Sequence, residues 1–245
     1  MYENSEPISK SNVSVTKLDP SRFSHEWKEA VGQSEPADQS NNTHPIKLVL
    51  PIPDKNESLF FLNETDYYHS RYKTLTTLRR KGANAGFLDY AITSNVLEHF
   101  DFQKRRHPML NYQYVLFPLT RAKHSTWLNP LFLDEVQEEP DRTFVTIASG
   151  PGIIVPTTKQ TIIYYATNAL LAFACSQLDM FPYEVGITKR PIDLISFPDT
   201  PFGRQLARQK ALKKFPMEPG MFYREYYRQE ALRAVAEDLN PQPIY

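Results

Sequence analysis

Cysteine occurs once in the 245 residues, at Cys175. One thiol forms no intramolecular disulfide and no CxxC metal or redox pair; a reducing compartment is the natural reading, although scarcity of cysteine fits any compartment. Glycine is scarce as well, with 8 residues. No GxGxxG and no GxxxxGK occurs, which removes the usual nucleotide-cradling loops; "SGPGII" is too short and lacks the following basic residue. Net charge is absent: 28 Lys and Arg against 28 Asp and Glu. Long-range steering toward nucleic acid or an acidic membrane is therefore not built into the chain, and any such binding has to be local.

Catalytic signatures are missing too. There is no HExxH, no His/Cys cluster and no EF-hand loop, so no metal site is expected, and no cofactor either. The histidines His25, His44, His69, His99, His107 and His124 are scattered. Asp66 with His69, and Glu98 with His99, are spacings that helix surfaces also produce. Ser149 lies in "ASGPG" without the GxSxG elbow, and Cys175 lies in an apolar helix, where a thiol is held protonated and inert. The N-terminus, "MYENSEPISKSNVSVTKLDP", has acids and polar residues where a secretory signal needs a basic start and an apolar run. A soluble protein, cytoplasmic or otherwise intracellular, is expected.

The longest stretch without formal charge is Gln160 to Leu178, 19 residues. Its strongly apolar part, Ile162 to Cys175, is shorter than the roughly 20 apolar residues of a membrane span and contains Thr167 and Asn168. Capped by Thr157 or Thr158 and stopped by Pro182, it reads as a core helix over 157–181 with apolar surface almost all round. Ala166, Ala169, Ala172 and Ala174 would let neighbours approach closely.

Twenty prolines and 13% aromatic residues describe a chain of short elements joined by rigid turns. Residues 1–45 are rich in Ser, Asn, Glu and Pro and read as a flexible polar arm. Within it, residues 19–32 have Phe23, Trp27 and Ala30 at helical spacing, a short amphipathic helix that packs on the body or docks on a partner. The body, residues 46–245, is expected to be a single α+β domain, its short strands packed around the long helix. Strands are expected at 46–53, near a sheet edge because prolines bound it, at 58–62, at 111–120 and at 142–156, the last hinged at Ser149 to Gly152; two more are expected within 184–198. Helices are expected from Asn63 or Thr65 to Lys81, over 86–100, and in the C-terminal segments "GRQLARQKALKKF" and "MFYREYYRQEALRAVAEDL". "DEVQEEPD" reads as a solvated loop or helix end.

What remains is a set of surface signals. Basic residues cluster at 79–81 (Arg79, Arg80, Lys81), 104–106 (Lys104, Arg105, Arg106), 121–123 (Arg121, Lys123) and 204–214 (Arg204, Arg208, Lys210, Lys213, Lys214). On one face they would hold phosphates, Arg79, Arg80, Lys104, Arg105, Arg106, Arg204, Arg208 and Lys213 being the candidate contacts; as separate helix ends they are solvated faces. The last helix carries Tyr223, Tyr226, Tyr227 and Arg228, types enriched at protein interfaces. With Phe23 and Trp27 they are the candidate partner contacts. The resulting expectation is a non-enzymatic structural or adaptor subunit of a larger assembly, its partners other protein subunits or a second copy of itself. A nucleic-acid-associated subunit is the alternative, and an enzyme whose site converges only in three dimensions comes third.

Overall fold

The computed structural model describes residues 17–37, 44–62, 67–103, 105–180 and 190–239, the side chains of 82–85 excepted. The fold is α+β, with two mixed sheets and the long helix in its core.

The smaller sheet grows from a hairpin. β9 (Leu133–Glu139) turns at Pro140 and Asp141 into β10 (Arg142–Ile147), and β11 (Gly152–Val155) returns antiparallel beside β10. Along β10 the side chains of Thr143, Val145 and Ile147 are buried in alternation, the period of a strand with one covered face. The turn before β11 holds Ser149 in the left-handed region, φ 52°. The 142–156 expectation is met as two strands. "DEVQEEPD" is corrected: Asp134, Glu135, Glu138 and Glu139 lie on β9, whose outer end is exposed and whose pairing to β10 supplies the backbone bonds that sequence polarity argued against.

The expected arm is corrected more deeply. β1 (Lys17–Leu18) adds to this sheet parallel to β11, α1 (His25–Gly32) follows, and β2 (Glu35–Pro36) joins the second sheet. Leu18 and Trp27 are fully buried, and the Trp27 indole N–H donates to the carbonyl of Asp19 at 2.8 Å. Two large side chains thus fix a segment whose mean composition is polar. Residues 1–16 and 38–43, the remainder of the expected arm apart from the joining pair His44 and Pro45, lie outside the described residues.

The larger sheet runs β2-β5-β4-β3-β8-β7-β6. β3 (Leu48–Pro51) and β4 (Ser58–Phe61) form a hairpin, and β5 (Tyr67–Ser70) pairs with β4. On the other side lie β8 (Trp127–Leu128), β7 (Val115–Pro118) and β6 (Met109–Leu110). β3 is therefore inside the sheet, not near its edge. Its proline is tolerated because the ladder to β8 covers only Leu48 and Val49 and stops short of Pro51.

The helix expected up to Lys81 is half strand. α2 begins at Thr74 (Thr74–Ala85), and the tyrosines before it stack on β4, Phe60 to Tyr68 at 5.2 Å and Phe61 to Tyr67 at 4.8 Å between ring centroids. Those cross-strand ring pairs outweigh the helical spacing. The proposed caps, Asn63 and Thr65, lie outside the described residues. A buried hydroxyl cluster pins the junction: Thr77 Oγ1 is 2.8 Å from both Ser58 Oγ and Ser70 Oγ. α3 (Tyr90–His99) starts later than expected because Asp89 caps it, its Oδ1 accepting from the amides of Ala91 and Ile92 at 2.8 and 3.0 Å.

α4 (Lys159–Met180) is the expected core helix. Ile162, Ala166, Ala169, Leu170, Ala172 and Ala174 are fully buried, and β7, β9 and the later helices pack around it. The Gln177 amide donates to the carbonyl of Tyr112 at 2.9 Å and that of Asn168 to Tyr164 within the helix, whereas the Thr167 hydroxyl is buried with no partner among the described residues. No helix among the described residues is long and apolar enough to cross a membrane. Of the strands expected within 184–198, residues 184–189 lie outside the described residues and the rest is a 3-10 turn, Pro191–Leu194, closed by Arg190 and Asp193. "GRQLARQKALKKF" divides into α5 (Pro201–Ala207) and a second 3-10 turn (Lys210–Lys213), which together bury Leu206 and Leu212. α6 (Met221–Leu239) ends the described chain.

Candidate functional site

α6 divides into an anchored half and a projecting half. Its first turn is held from α4: both carboxylate oxygens of Asp179 accept backbone N–H groups, those of Gly220 and Tyr223. A carboxylate there also meets the positive end of the helix dipole. Phe222, Glu225 and Tyr226 point into the body. The Tyr226 hydroxyl accepts from the amide of Asp89 at 3.0 Å, and Arg233 reaches the Asp89 carboxylate at 3.0 Å, so α6 is laced to the cap of α3. Burial works against charge on Asp89, but the Ile92 amide, Arg233 and the Ala91 amide together hold its carboxyl below the ordinary range.

Glu225 is bound mainly within α6 itself. Arg228 grips it in bidentate fashion at 2.7 and 2.6 Å, Gln229 adds 2.8 Å, and His99 of α3 stands at 3.9 Å. Arg228, more than offsetting burial and aided by Gln229 and His99, pulls the Glu225 carboxyl down to about 2 from its ordinary 4.5. A pKa lowered by folding contributes stability in full above the unfolded value, and that contribution disappears as pH falls through the folded one. The melting temperature is accordingly expected to drop between about pH 4.5 and pH 2, and Glu225→Gln to flatten that part of a pH series followed by circular dichroism.

Beyond Gln229 the helix keeps one polar tie to the body among the described residues, Arg233 to Asp89. Every residue from Ala231 to Leu239 is exposed. Leu232, Val235 and Leu239, spaced to share one face, are 52%, 56% and 76% exposed. An apolar stripe on a free helix is what a partner covers.

The expected partner contacts distribute around this boundary. Tyr227 is exposed, and its ring touches those of Tyr223 and Tyr226. Tyr223 is half-buried, its hydroxyl without a hydrogen-bond partner among the described residues, and burial pushes that phenol up. Tyr226 and Trp27 are interior, so both are corrected from contact residues to packing residues. Arg228 keeps an exposed guanidinium while bound to Glu225. Phe23 is 43% exposed with Lys55 over its ring, well apart in the chain from α6.

The basic clusters do not form one track. Arg79, Arg80 and Lys81 lie over the rings of Tyr90, Tyr72 and Phe60. Arg204 is paired with Asp199, and Arg208 is exposed nearby. Lys213 and Lys214 line an open depression with Arg190 and Arg224 over Phe100 and Phe215. Arg105, Arg106 and Arg121 do converge, on a cavity of about 470 Å³. Lys104 lies outside the described residues.

No family model, curated protein or solved structure matches the chain. Its surfaces therefore have to be interpreted from their own chemistry. Cys175 is buried, and burial pushes its thiol far up, which suits packing and not attack. The residue that sequence reasoning missed is Leu239. Its signal was available as the spacing Leu232, Val235, Leu239, but tyrosines drew attention to the half of the helix that turns out to be anchored.

Proposed function

We propose that the protein is a non-enzymatic structural or adaptor subunit that assembles through the projecting half of α6, and that the first occupant of this surface is the same segment of a second copy. The observation that carries the reading is the exposed Leu232, Val235 and Leu239 stripe on a half-helix whose one polar tie to the body among the described residues is Arg233 to Asp89.

Charge selects the occupant. Arg224 and Arg228 stand toward the start of α6, and Glu237 and Asp238 occupy its last turn. Acids at a helix C-terminus oppose the dipole; Glu237 is offset by its pairing with Arg233 at 2.8 Å, and Asp238 has no ion-pair partner among the described residues. Antiparallel pairing with a second α6, the two Leu232 side chains meeting near the axis, brings the last turn with Asp238 alongside the partner's Arg224 and Arg228, the self-complementary arrangement of a two-fold dimer. Among the described residues Arg224 has no ion-pair partner of its own, and so is free to accept one. The segment from Arg224 to Leu239 is about 24 Å long at 1.5 Å per residue, enough for two heptads.

Sedimentation equilibrium of the purified chain tests this. A monomer–dimer equilibrium in the micromolar range that weakens with salt is expected. A chain that stays monomeric at every concentration and salt removes self-assembly as its mode of action.

A further inference from the structure

We infer that Arg105, Arg106 and Arg121 form a binding site for a phosphoryl group, separate from α6 and independent of the assembly proposed for it. The strand register brings them together. β6 pairs antiparallel with β7, Met109 opposite Leu116 and Leu110 opposite Val115. Continued outward, that register sets the residues before β6 against those after β7, so the loop carrying Arg105 and Arg106 faces the turn carrying Arg121.

The loop is held in shape. Arg106 has φ 63° and Asp101 φ 54°, both in the left-handed region that non-glycine residues rarely occupy. Such strain persists where surroundings enforce it. Here the Gln103 amide donates to the carbonyl of Arg106, and the buried His107 ring is bonded through Nε2 to the carbonyl of Gln103 at 2.7 Å. The Arg106 guanidinium donates to the Tyr165 hydroxyl of α4 at 2.6 Å and lies 4.8 Å from the centroid of that ring. One guanidinium is thus fixed, and the exposed Arg105 and Arg121 complete the cavity of about 470 Å³.

These three cations differ from the six arginines that are paired. Arg22, Arg142, Arg190, Arg204, Arg228 and Arg233 each pair with a carboxylate. Among the described residues, Arg105, Arg106 and Arg121 have no carboxylate within ion-pair distance and no acid lines their cavity. Gathering three like charges without a counter-charge is unfavourable, and a polyanion relieves it. Guanidinium forks bind carboxylate and phosphate oxygens alike, but three of them exceed the two oxygens of a single carboxylate and suit the greater charge and three terminal oxygens of a phosphoryl group.

The phosphoryl group can come from a free polyphosphate or from a nucleic-acid backbone, and calorimetric titration at low salt separates the sources. The probes are inorganic pyrophosphate, a short single-stranded oligonucleotide, and acetate at matched ionic strength. Saturable pyrophosphate binding with no response to acetate is expected, weakened about tenfold or more in Arg105→Ala and in Arg121→Ala, the loss of one charge-assisted contact. Both side chains are exposed, so circular dichroism of the variants should match the parent. Tyr165→Phe, which removes only the hydroxyl that holds Arg106, is expected to weaken binding less. An oligonucleotide that binds, loses affinity steeply with salt and is displaced by pyrophosphate would assign the same site to a nucleic-acid strand. If neither probe binds, or if binding survives Arg105→Ala combined with Arg121→Ala, the site does not exist.

Discussion

Trp27→Ala is expected to destabilise the folded chain by about 3–5 kcal/mol, the usual range for emptying a fully buried tryptophan site. The side chain is 0% exposed and belongs to the same core cluster as the buried face of α4. Its loss removes apolar burial, leaves a void under α1, and strands the Asp19 carbonyl that now accepts the indole N–H. Phe23→Ala supplies the comparison. That ring is 43% exposed, and a surface substitution of its kind costs within about 0.5 kcal/mol. Urea unfolding of both variants decides whether residues 17–37 are part of the body. Equal and negligible effects would restore a loose arm; a large effect at Trp27 alone identifies an integral segment whose anchoring is carried by very few side chains.

The same case explains which parts of the fold sequence reasoning reached. α4 and α6 are continuous helical patterns, and β4, β10 and β11 are apolar or alternating runs bounded by turn residues, so local signals sufficed. Failures came where a distant partner decided the outcome. Tyr67 and Tyr68 fit a helix by spacing and are strand because β4 presents Phe60 and Phe61 to them. The acids of β9 read as loop, yet β10 pairs with them residue by residue. β1 has two residues and exists only because β11 lies beside it.

For the candidate sites the limit was topological. Interpreting residues 111–120 as one strand concealed the hairpin that actually turns there, between Leu110 and Val115. With that turn in place, the basic clusters at 104–106 and 121–123 sit symmetrically about it and must meet. The cluster at 79–81 carried the same sequence signal and went elsewhere, over aromatic rings, which charge counting cannot distinguish. The exposure of the last nine residues of α6 was likewise invisible, because an apolar stripe looks alike whether the chain's own body covers it or nothing does.

That exposure permits a variant that separates assembly from folding. Leu232→Glu combined with Val235→Glu is expected to leave the melting temperature almost unchanged, since both side chains are more than half exposed and neither belongs to a core cluster. Self-association is expected to weaken at least about a hundredfold. Burying a Leu or Val side chain is worth roughly 1.5–3 kcal/mol in full, and two such sites per copy lose even a partial share on both sides of the contact. The new carboxylates at position 232 would also face one another across the two-fold axis, adding repulsion where apolar contact stood. Light scattering on parent and variant at equal concentration measures the difference, with thermal unfolding in parallel. If the variant melts early, the stripe is a covered face of the body. If it folds and still dimerises, the contact lies elsewhere on the surface. A folded monomer would leave α6 as the element through which this chain joins another copy.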